Sequence, residues 1–205
     1  MNGNPDRAAP ESRSDLGDLL AARDGDHEAG RRLVSRHGPA MVRTARRVLG
    51  RYGNGDGEDV VQEAFIAALT TGALPQGDVG AWLRAVAARK ALDLLRAAAR
   101  RGEQPLVFDG SGAAGPEPVT DTSGARVDVL ALRECLARLS PSDRAVLTLV
   151  DLEGQSMAEA AGALGLTRVA IRLRAVRARR KLARMLRAGR TESRRGRVPR
   201  GQEIG

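Results

Sequence analysis

The residues best equipped for chemistry in this chain are arginines. From Arg168 to the C-terminus stand 14 basic and 2 acidic side chains, so that segment carries +12 while the whole 205-residue chain carries +9. Everything before it is slightly acidic. The basic residues are almost all arginine, with Lys90 and Lys181 the only lysines. A guanidinium fork can contact a phosphate or a guanine edge through two hydrogen bonds, although a chain rich in Arg, Ala and Gly equally reflects a GC-rich genome. Other reactive groups are sparse. Asp59 and Glu63 lie one helical turn apart and could hold a divalent ion, but no third ligand or nucleophile accompanies them. His27 and His37 lack ligand company and read as surface or capping residues. The single cysteine, Cys135, excludes an internal disulfide and reads as a small buried residue beside Leu132, Leu136 and Leu139. These spacings offer no catalytic set, metal site or cofactor site.

The elements that must position the arginines lie between Gln155 and Leu186. Ser156 with Glu159 three residues on is a capping box, which satisfies orphan amide donors at a helix start. Gly165 ends that helix and Thr167 caps the next. In the second helix Ile171, Ala175, Ala178 and Leu182 recur at intervals of four, three and four and so form one buried stripe. Arg172, Leu173, Val176, Arg177 and Arg180 project elsewhere. This is a helix-turn-helix whose second helix suits the major groove of DNA.

Composition bounds the rest. Aromatics make up only 2% of the chain, so its cores are Leu, Val and Ala, and no sustained period-two alternation appears. An all-α protein is expected. No apolar run approaches the roughly 18 residues that span a bilayer, and MNGNPDRAAPESRSD lacks a hydrophobic signal core, so a soluble, cytoplasmic protein is expected. Residues 1–14 and 188–205 read as disordered, the latter as a basic tail. Residues 102–126, rich in Gly, Pro, Ser and Thr, read as a flexible linker of at most about 80 Å between helical domains at 15–101 and 127–187.

In the first domain a short helix runs through Leu16, Leu19 and Leu20. A longer basic one from His27 to Leu49 uses Leu33, Val34, Met41, Val42, Ala45 and Val48 as its apolar side, and Gly38-Pro39 kinks or divides it. After a loop at residues 53–57, EDVVQEAFIAAL puts Val60, Val61, Ala64, Phe65 and Ala68 on one face and Asp59, Gln62 and Glu63 on the other. No basic residue occurs from Tyr52 through Trp82. Either this is a solvated helix whose early carboxylates suit its dipole, or it is a docking face. Asp78 caps a further helix that buries Val79, Trp82, Leu83, Val86 and Leu94 and shows Arg84, Arg89, Lys90, Arg96, Arg100 and Arg101 to solvent or to phosphates. Trp82 reads as core rather than as a platform for an unpaired base. The second domain opens with a helix over 127–139, then Ser140-Pro141-Ser142-Asp143 starts another through Val146, Leu147 and Leu149 that ends near Gly154.

Two short helical domains in this order resemble a bacterial extracytoplasmic-function sigma factor of the sigma-70 family. The matching words are EDVVQEAF (Glu58 to Phe65), AWLRAVA (Ala81 to Ala87), ALDLLR (Ala91 to Arg96), LSPSDRAVLTL (Leu139 to Leu149), EGQSMAEAAGALGL (Glu153 to Leu166) and RAR (Arg177 to Arg179). The resemblance implies that Asp59, Gln62 and Glu63 dock on core RNA polymerase. It further implies that residues 70–79 and the basic helix after them, with Arg84, Arg89, Lys90 and Arg96, hold the melted −10 strand. Arg172, Leu173, Val176, Arg177 and Arg180 would read the −35 element. Ala88-Arg89 stands where Arg-Asn is common, Ala160 where Ile is usual, and Val169 to Leu173 replace the usual Gly-Thr-Val-Lys-Ser. The exposed apolar Val169, Leu173 and Val176 suit thymine methyls or an anti-sigma factor. The runner-up is a stand-alone helix-turn-helix regulator, which would need only the second domain. An enzyme acting on nucleic acid would be built on Asp56, Glu58, Asp59 and Glu63, but it lacks a convergent catalytic set.

Overall fold

The computed structural model describes residues 10–50, 56–75, 77–102 and 123–195. The described residues are helical apart from caps and short connections. Four helices build the first module: α1 (Pro10–Arg23), α2 (His27–Leu49), α3 (Asp56–Thr70) and α4 (Val79–Arg100). The second comprises α5 (Ser123–Ala137), α6 (Pro141–Leu147) continued by a π-helical turn at Thr148–Leu152, α7 (Met157–Leu164) and α8 (Arg168–Arg195).

α1 begins at Pro10, within the stretch expected to be disordered, and charge as well as leucine anchors it. Leu19 is buried, Leu16 is half-buried and Leu20 is exposed. The buried Asp18 accepts from Arg32 Nε at 3.1 Å and Nη2 at 2.6 Å. Those bonds hold its carboxyl below the usual carboxylate range. The stability they contribute is therefore in place above that range and is lost as pH falls through the lowered value. Asp15, also buried, pairs with Arg36 and takes a bond from His37 Nε2 at 2.8 Å. His37 is thus turned inward toward α1, not placed on the surface or at a cap, whereas His27 is exposed at the first position of α2.

α2 is one continuous helix with Pro39 inside it. The lost donor does not divide it, because Leu33, Met41, Ala45, Val48 and Leu49 are buried on both sides of the proline and tertiary packing outweighs local propensity. Val42 is half-buried, but Val34 is exposed. α3 buries the expected Val60, Val61, Ala64, Phe65 and Ala68. Its first turn already includes Asp56 and Gly57, which had read as loop. Asp78 caps α4, accepting from Gly80 N at 3.0 Å and Ala81 N at 3.1 Å. The buried side of α4 is Val79, Leu83, Ala87, Ala88, Ala91, Leu92 and Leu95. Leu94 lies outside it, exposed, and Trp82 and Val86 are only half-buried. The alanines shift the stripe, since a helix face can be buried without large side chains where two backbones approach closely.

In the second module α5 starts at Ser123, inside the stretch read as linker, and ends at Ala137. Ser140 caps α6, accepting from Asp143 N at 3.2 Å, with Pro141 at the first helical position. The capping box of α7 is formed in both directions: Ser156 Oγ accepts from Glu159 N at 3.2 Å, and Glu159 Oε2 accepts from Ser156 N at 2.8 Å. Gly165 closes α7 at φ +65°. Thr167 Oγ1 caps α8, accepting from Ala170 N at 3.1 Å. α8 runs on to Arg195, past the expected boundary at residue 187. Its arginines and alanines are strong helix formers, so the helix outlasts its buried stripe. Cys135 is buried as expected.

The two modules share one core. Val146, Leu149, Ala160, Ala161, Leu164, Ile171 and Ala175 belong to the same buried apolar cluster as Leu33, Met41, Leu49, Leu83 and Leu92. A smaller cluster of Leu139, Leu147 and Ala178, flanked by Leu136, Leu182 and Met185, seats α5 and α6 on α8.

Candidate nucleic-acid interface

α8 is divided along its length. Ile171, Ala175 and Ala178 are fully buried and Leu182 is half-buried, so the stripe read from the sequence faces the core. On the other side Arg172, Arg177 and Arg180 are exposed, together with Val169 (76% exposed), Leu173 (49%) and Val176 (36%). Two further arginines serve the scaffold. Arg179 forks onto Asp151 at 2.9 and 2.5 Å, which raises its pKa above the ordinary arginine value, and Arg174 lies 3.9 Å from Asp143. The buried stripe sets the roll of α8, so Arg172, Arg177, Arg180 and the apolar groups form a strip on the side away from the core. Such a strip offers donors for phosphate and guanine, and methyl contacts for thymine.

The four basic residues expected on α4 do not form one free surface. Arg96 pairs with Asp93 of its own helix at 3.2 Å. Lys90 leans toward α3, 3.7 Å from Glu63. Arg84, expected on the exposed side, is largely covered: its Nε lies 2.8 Å from Glu153 Oε2, at an angle that makes a charge contact rather than a directed hydrogen bond. Arg89 reaches the second module too, donating to Ala163 O at 3.4 Å, and lies 3.8 Å from Asp93. On α3, Asp59, Gln62 and Glu63 are exposed together on the side opposite the core. Asp59 and Glu63 are joined by no third ligand: among the described residues no group of three or more His, Cys, Asp or Glu converges to hold a metal. No described helix is long and apolar enough to cross a membrane.

Sequence reasoning missed the residues that join the modules. Arg144 is 1% exposed, and its guanidinium donates to four carbonyls: Val48 O at 2.7 Å, Leu49 O at 3.0 Å, Ala137 O at 3.1 Å and Leu139 O at 3.3 Å. It therefore caps the C-terminal end of α2 from the second module. Glu153 takes a bond from Thr44 Oγ1 at 2.8 Å and pairs with Arg47 at 2.8 Å, besides its contact with Arg84. Gln155 Nε2 donates to Ala81 O at 2.8 Å. The π-helical turn aims the last two, since its extra residue per turn carries the chain on to Glu153 and Gln155 at the module boundary. No sequence pattern marks such groups: an arginine on α6 and a glutamate beside a glycine read as solvent-facing until the partner surface is known.

The fold thus joins a helix-turn-helix with formed caps to a four-helix module through the buried Arg144. Residues 33–101 match the family model for sigma-70 region 2, and residues 130–182 match that for sigma-70 region 4. The ECF RNA polymerase sigma factor SigM of Mycobacterium tuberculosis is 32% identical over 178 residues, 85% of either chain. The RNA polymerase sigma factor CnrH of Cupriavidus metallidurans is 33% identical over 186 residues, 82% of this chain and 93% of its own. The structure of CnrH in complex with the cytosolic domain of CnrY superposes with a TM-score of 0.58 at 30% identity, covering 85% of this chain and 98% of that one. The sigma factor RpoE of Bartonella quintana, solved with the anti-sigma factor NepR, has a TM-score of 0.57 at 22% identity, over 77% of this chain and 96% of its own, and shares the fold. The chain belongs to the extracytoplasmic-function sigma factors of the sigma-70 family, and its function is that of an RNA polymerase sigma factor.

Proposed function

We propose that this sigma factor docks on core RNA polymerase through Asp59, Gln62 and Glu63, holds the melted −10 strand with Arg84, Arg89, Lys90 and Arg96, and reads the −35 element with Arg172, Leu173, Val176, Arg177 and Arg180. It acts in the cytoplasm and makes or breaks no covalent bond: polymerase performs the synthesis, and this chain selects the promoter and helps to open it. The observation that carries the reading is the division of α8, with Ile171, Ala175 and Ala178 sealed in the core and an Arg and aliphatic strip exposed opposite them. Genomic run-off transcription with sigma-free core polymerase from the host tests it. Transcripts starting at discrete sites are expected. A folded protein that binds DNA but neither joins core nor yields transcripts would be a stand-alone regulator.

Arg172→Ala or Arg177→Ala costs about 1 to 3 kcal/mol in binding to −35 duplex if that arginine forks onto a base. Fluorescence anisotropy on promoter and scrambled duplexes checks this, and unchanged affinity in both variants would remove them from the site. The RpoE relative was solved with an anti-sigma factor, and an anti-sigma factor is proposed here as a partner that competes with DNA for Val169, Leu173 and Val176. Leu173→Glu then weakens promoter duplex and anti-sigma factor alike, by about tenfold or more for a charge placed in an apolar contact. Binding of both unchanged would refute the competition.

A further inference from the structure

α8 is longer than the strip assigned to the −35 element needs. It runs over Arg168–Arg195, whereas the region 4 match ends at residue 182 and the last residue given to the −35 element is Arg180. The turns that follow are held in place. Leu182 and Met185 pack against Leu139, Leu147 and Ala178, and Leu186 is half-buried, so the buried stripe of Ile171, Ala175 and Ala178 continues past the assigned strip. The exposed side continues as well. At about 100° per residue Leu173, Arg180, Arg184 and Arg187 fall within about 60° of one another, opposite Ala175, and all four are exposed, with Lys181 exposed beside them. No Asp or Glu stands between Glu159 and Glu192. Arginines of α8 that face the scaffold meet a carboxylate, Arg174 near Asp143 and Arg179 on Asp151. Arg180, Arg184 and Arg187 instead follow one another at intervals of four and three, a like-charge ladder that works against its own helix. Folding gives no reason for such a ladder, but an external polyanion does.

We propose that Arg184 and Arg187, flanked by Lys181, form a phosphate-binding site for the duplex DNA that borders the −35 bases, a site whose place on the duplex rests on the reading of Arg172 to Arg180 as the base-facing part of α8. Length decides between bases and backbone. Arg172 to Arg180 span about 12 Å of helix at about 1.5 Å per residue, which is close to the width of the major groove. Arg184 and Arg187 lie about 6 and 10 Å farther along the axis, past a groove that the strip already fills, where the sugar-phosphate ridge stands. In the homeodomain form of the helix-turn-helix the C-terminal end of the recognition helix contacts the backbone in the same way. A guanidinium placed there forks onto phosphate oxygens and releases their counterions whatever the base sequence. The site therefore contributes affinity and register without discrimination between sequences.

The test titrates the full chain against two fluorescent duplexes over a range of salt: one with the −35 element of a promoter mapped by run-off and about ten base pairs, one helical turn, on each side, the other scrambled. Arg184→Gln with Arg187→Gln should weaken binding by about tenfold or more at about 0.1 M salt, equally on both duplexes, and should lower the slope of log affinity against log salt by about 2. Trimming the flanks should weaken the wild type and leave the double variant where it was. Arg184→Lys with Arg187→Lys should restore the slope, since a point charge suffices for a phosphate. An unchanged slope, or a loss confined to the promoter sequence, would overturn the phosphate site. Duplex binding equal to wild type with a fall in run-off transcription would also overturn it, and would give the ladder to an acidic protein surface of the polymerase. If the slope fell as expected while the wild type bound promoter and scrambled duplex alike, the phosphate site would stand and the −35 reading of Arg172 to Arg180 would fall.

Discussion

Asp59→Arg combined with Glu63→Arg should abolish association with core polymerase and leave the fold standing. Both carboxylates are exposed on one side of α3, opposite Val60, Ala64 and Ala68, so reversing them changes the charge of a surface without touching the core. A docking site complementary to two carboxylates would instead meet two guanidinium groups. Like-charge juxtaposition at an interface costs several kcal/mol, which at 1.4 kcal/mol per decade is about 100-fold or more in affinity. The cost to folding is small by comparison. Glu63 forms a surface pair with Lys90 at 3.7 Å, worth at most about 1 kcal/mol, and carboxylates near the start of a helix contribute about 0.3 to 1 kcal/mol through its dipole. Circular dichroism should therefore be close to wild type. Co-elution with core polymerase and run-off transcription should both vanish, and the neutral pair Asp59→Asn with Glu63→Gln should fall between. A double variant that still supports run-off would move the docking surface elsewhere on the first module.

The groups in this argument were legible in the sequence because each depends on its own helix. Val60, Val61, Ala64, Phe65 and Ala68 repeat with the helical period, and that repeat alone places Asp59, Gln62 and Glu63 opposite them. The caps at Asp78, Ser140, Ser156 and Thr167 were legible for the same reason, as a side chain bonding to an amide two or three residues away needs no distant partner. What failed was everything set by contacts distant in sequence. Pro39 did not break α2, because residues of the helix on both sides of it are buried in one core. Leu94 exchanged places with Leu92 and Leu95, because close approach of helices favoured an alanine-rich side of α4. Arg84 looked like a surface arginine until Glu153 closed over it across 69 residues of chain. The exposure of Arg172, Leu173, Val176, Arg177 and Arg180 was legible because it follows from the buried stripe of their own helix, whereas Arg84, Arg89, Lys90 and Arg96 are divided between solvent, α3 and the second module.

Gly50→Ala should be the most damaging single methyl in the described part of the molecule. Gly50 ends α2 at φ +63° and ψ −127°, a conformation that costs an L-residue about 1 to 3 kcal/mol. Strain is only half of it. A Cβ there would lie 2.8 Å from Arg144 Cζ, 3.0 Å from Nη1 and 3.1 Å from Nε. A surface arginine would swing away at little cost. Arg144 cannot, because its nitrogens are committed to the carbonyls of Val48, Leu49, Ala137 and Leu139 and it is buried. Displacing it strands a buried charge and its acceptors, a loss of about 3 to 5 kcal/mol if nothing rearranges. The chain has a cheaper escape, which is to undock the second module and hydrate Arg144. Chemical denaturation should therefore show the backbone strain as about 1 to 3 kcal/mol of lost stability, and the remainder should appear as separation of the modules, read as a larger radius of gyration in small-angle scattering. Gly17→Ala supplies the contrast. It sits within α1 with nothing near its missing Cβ, so there the same substitution should stabilise by about 0.5 to 1 kcal/mol. If Gly50→Ala were as benign as Gly17→Ala, Arg144 would not be held against the end of α2 in solution, and the closed junction would have no lock.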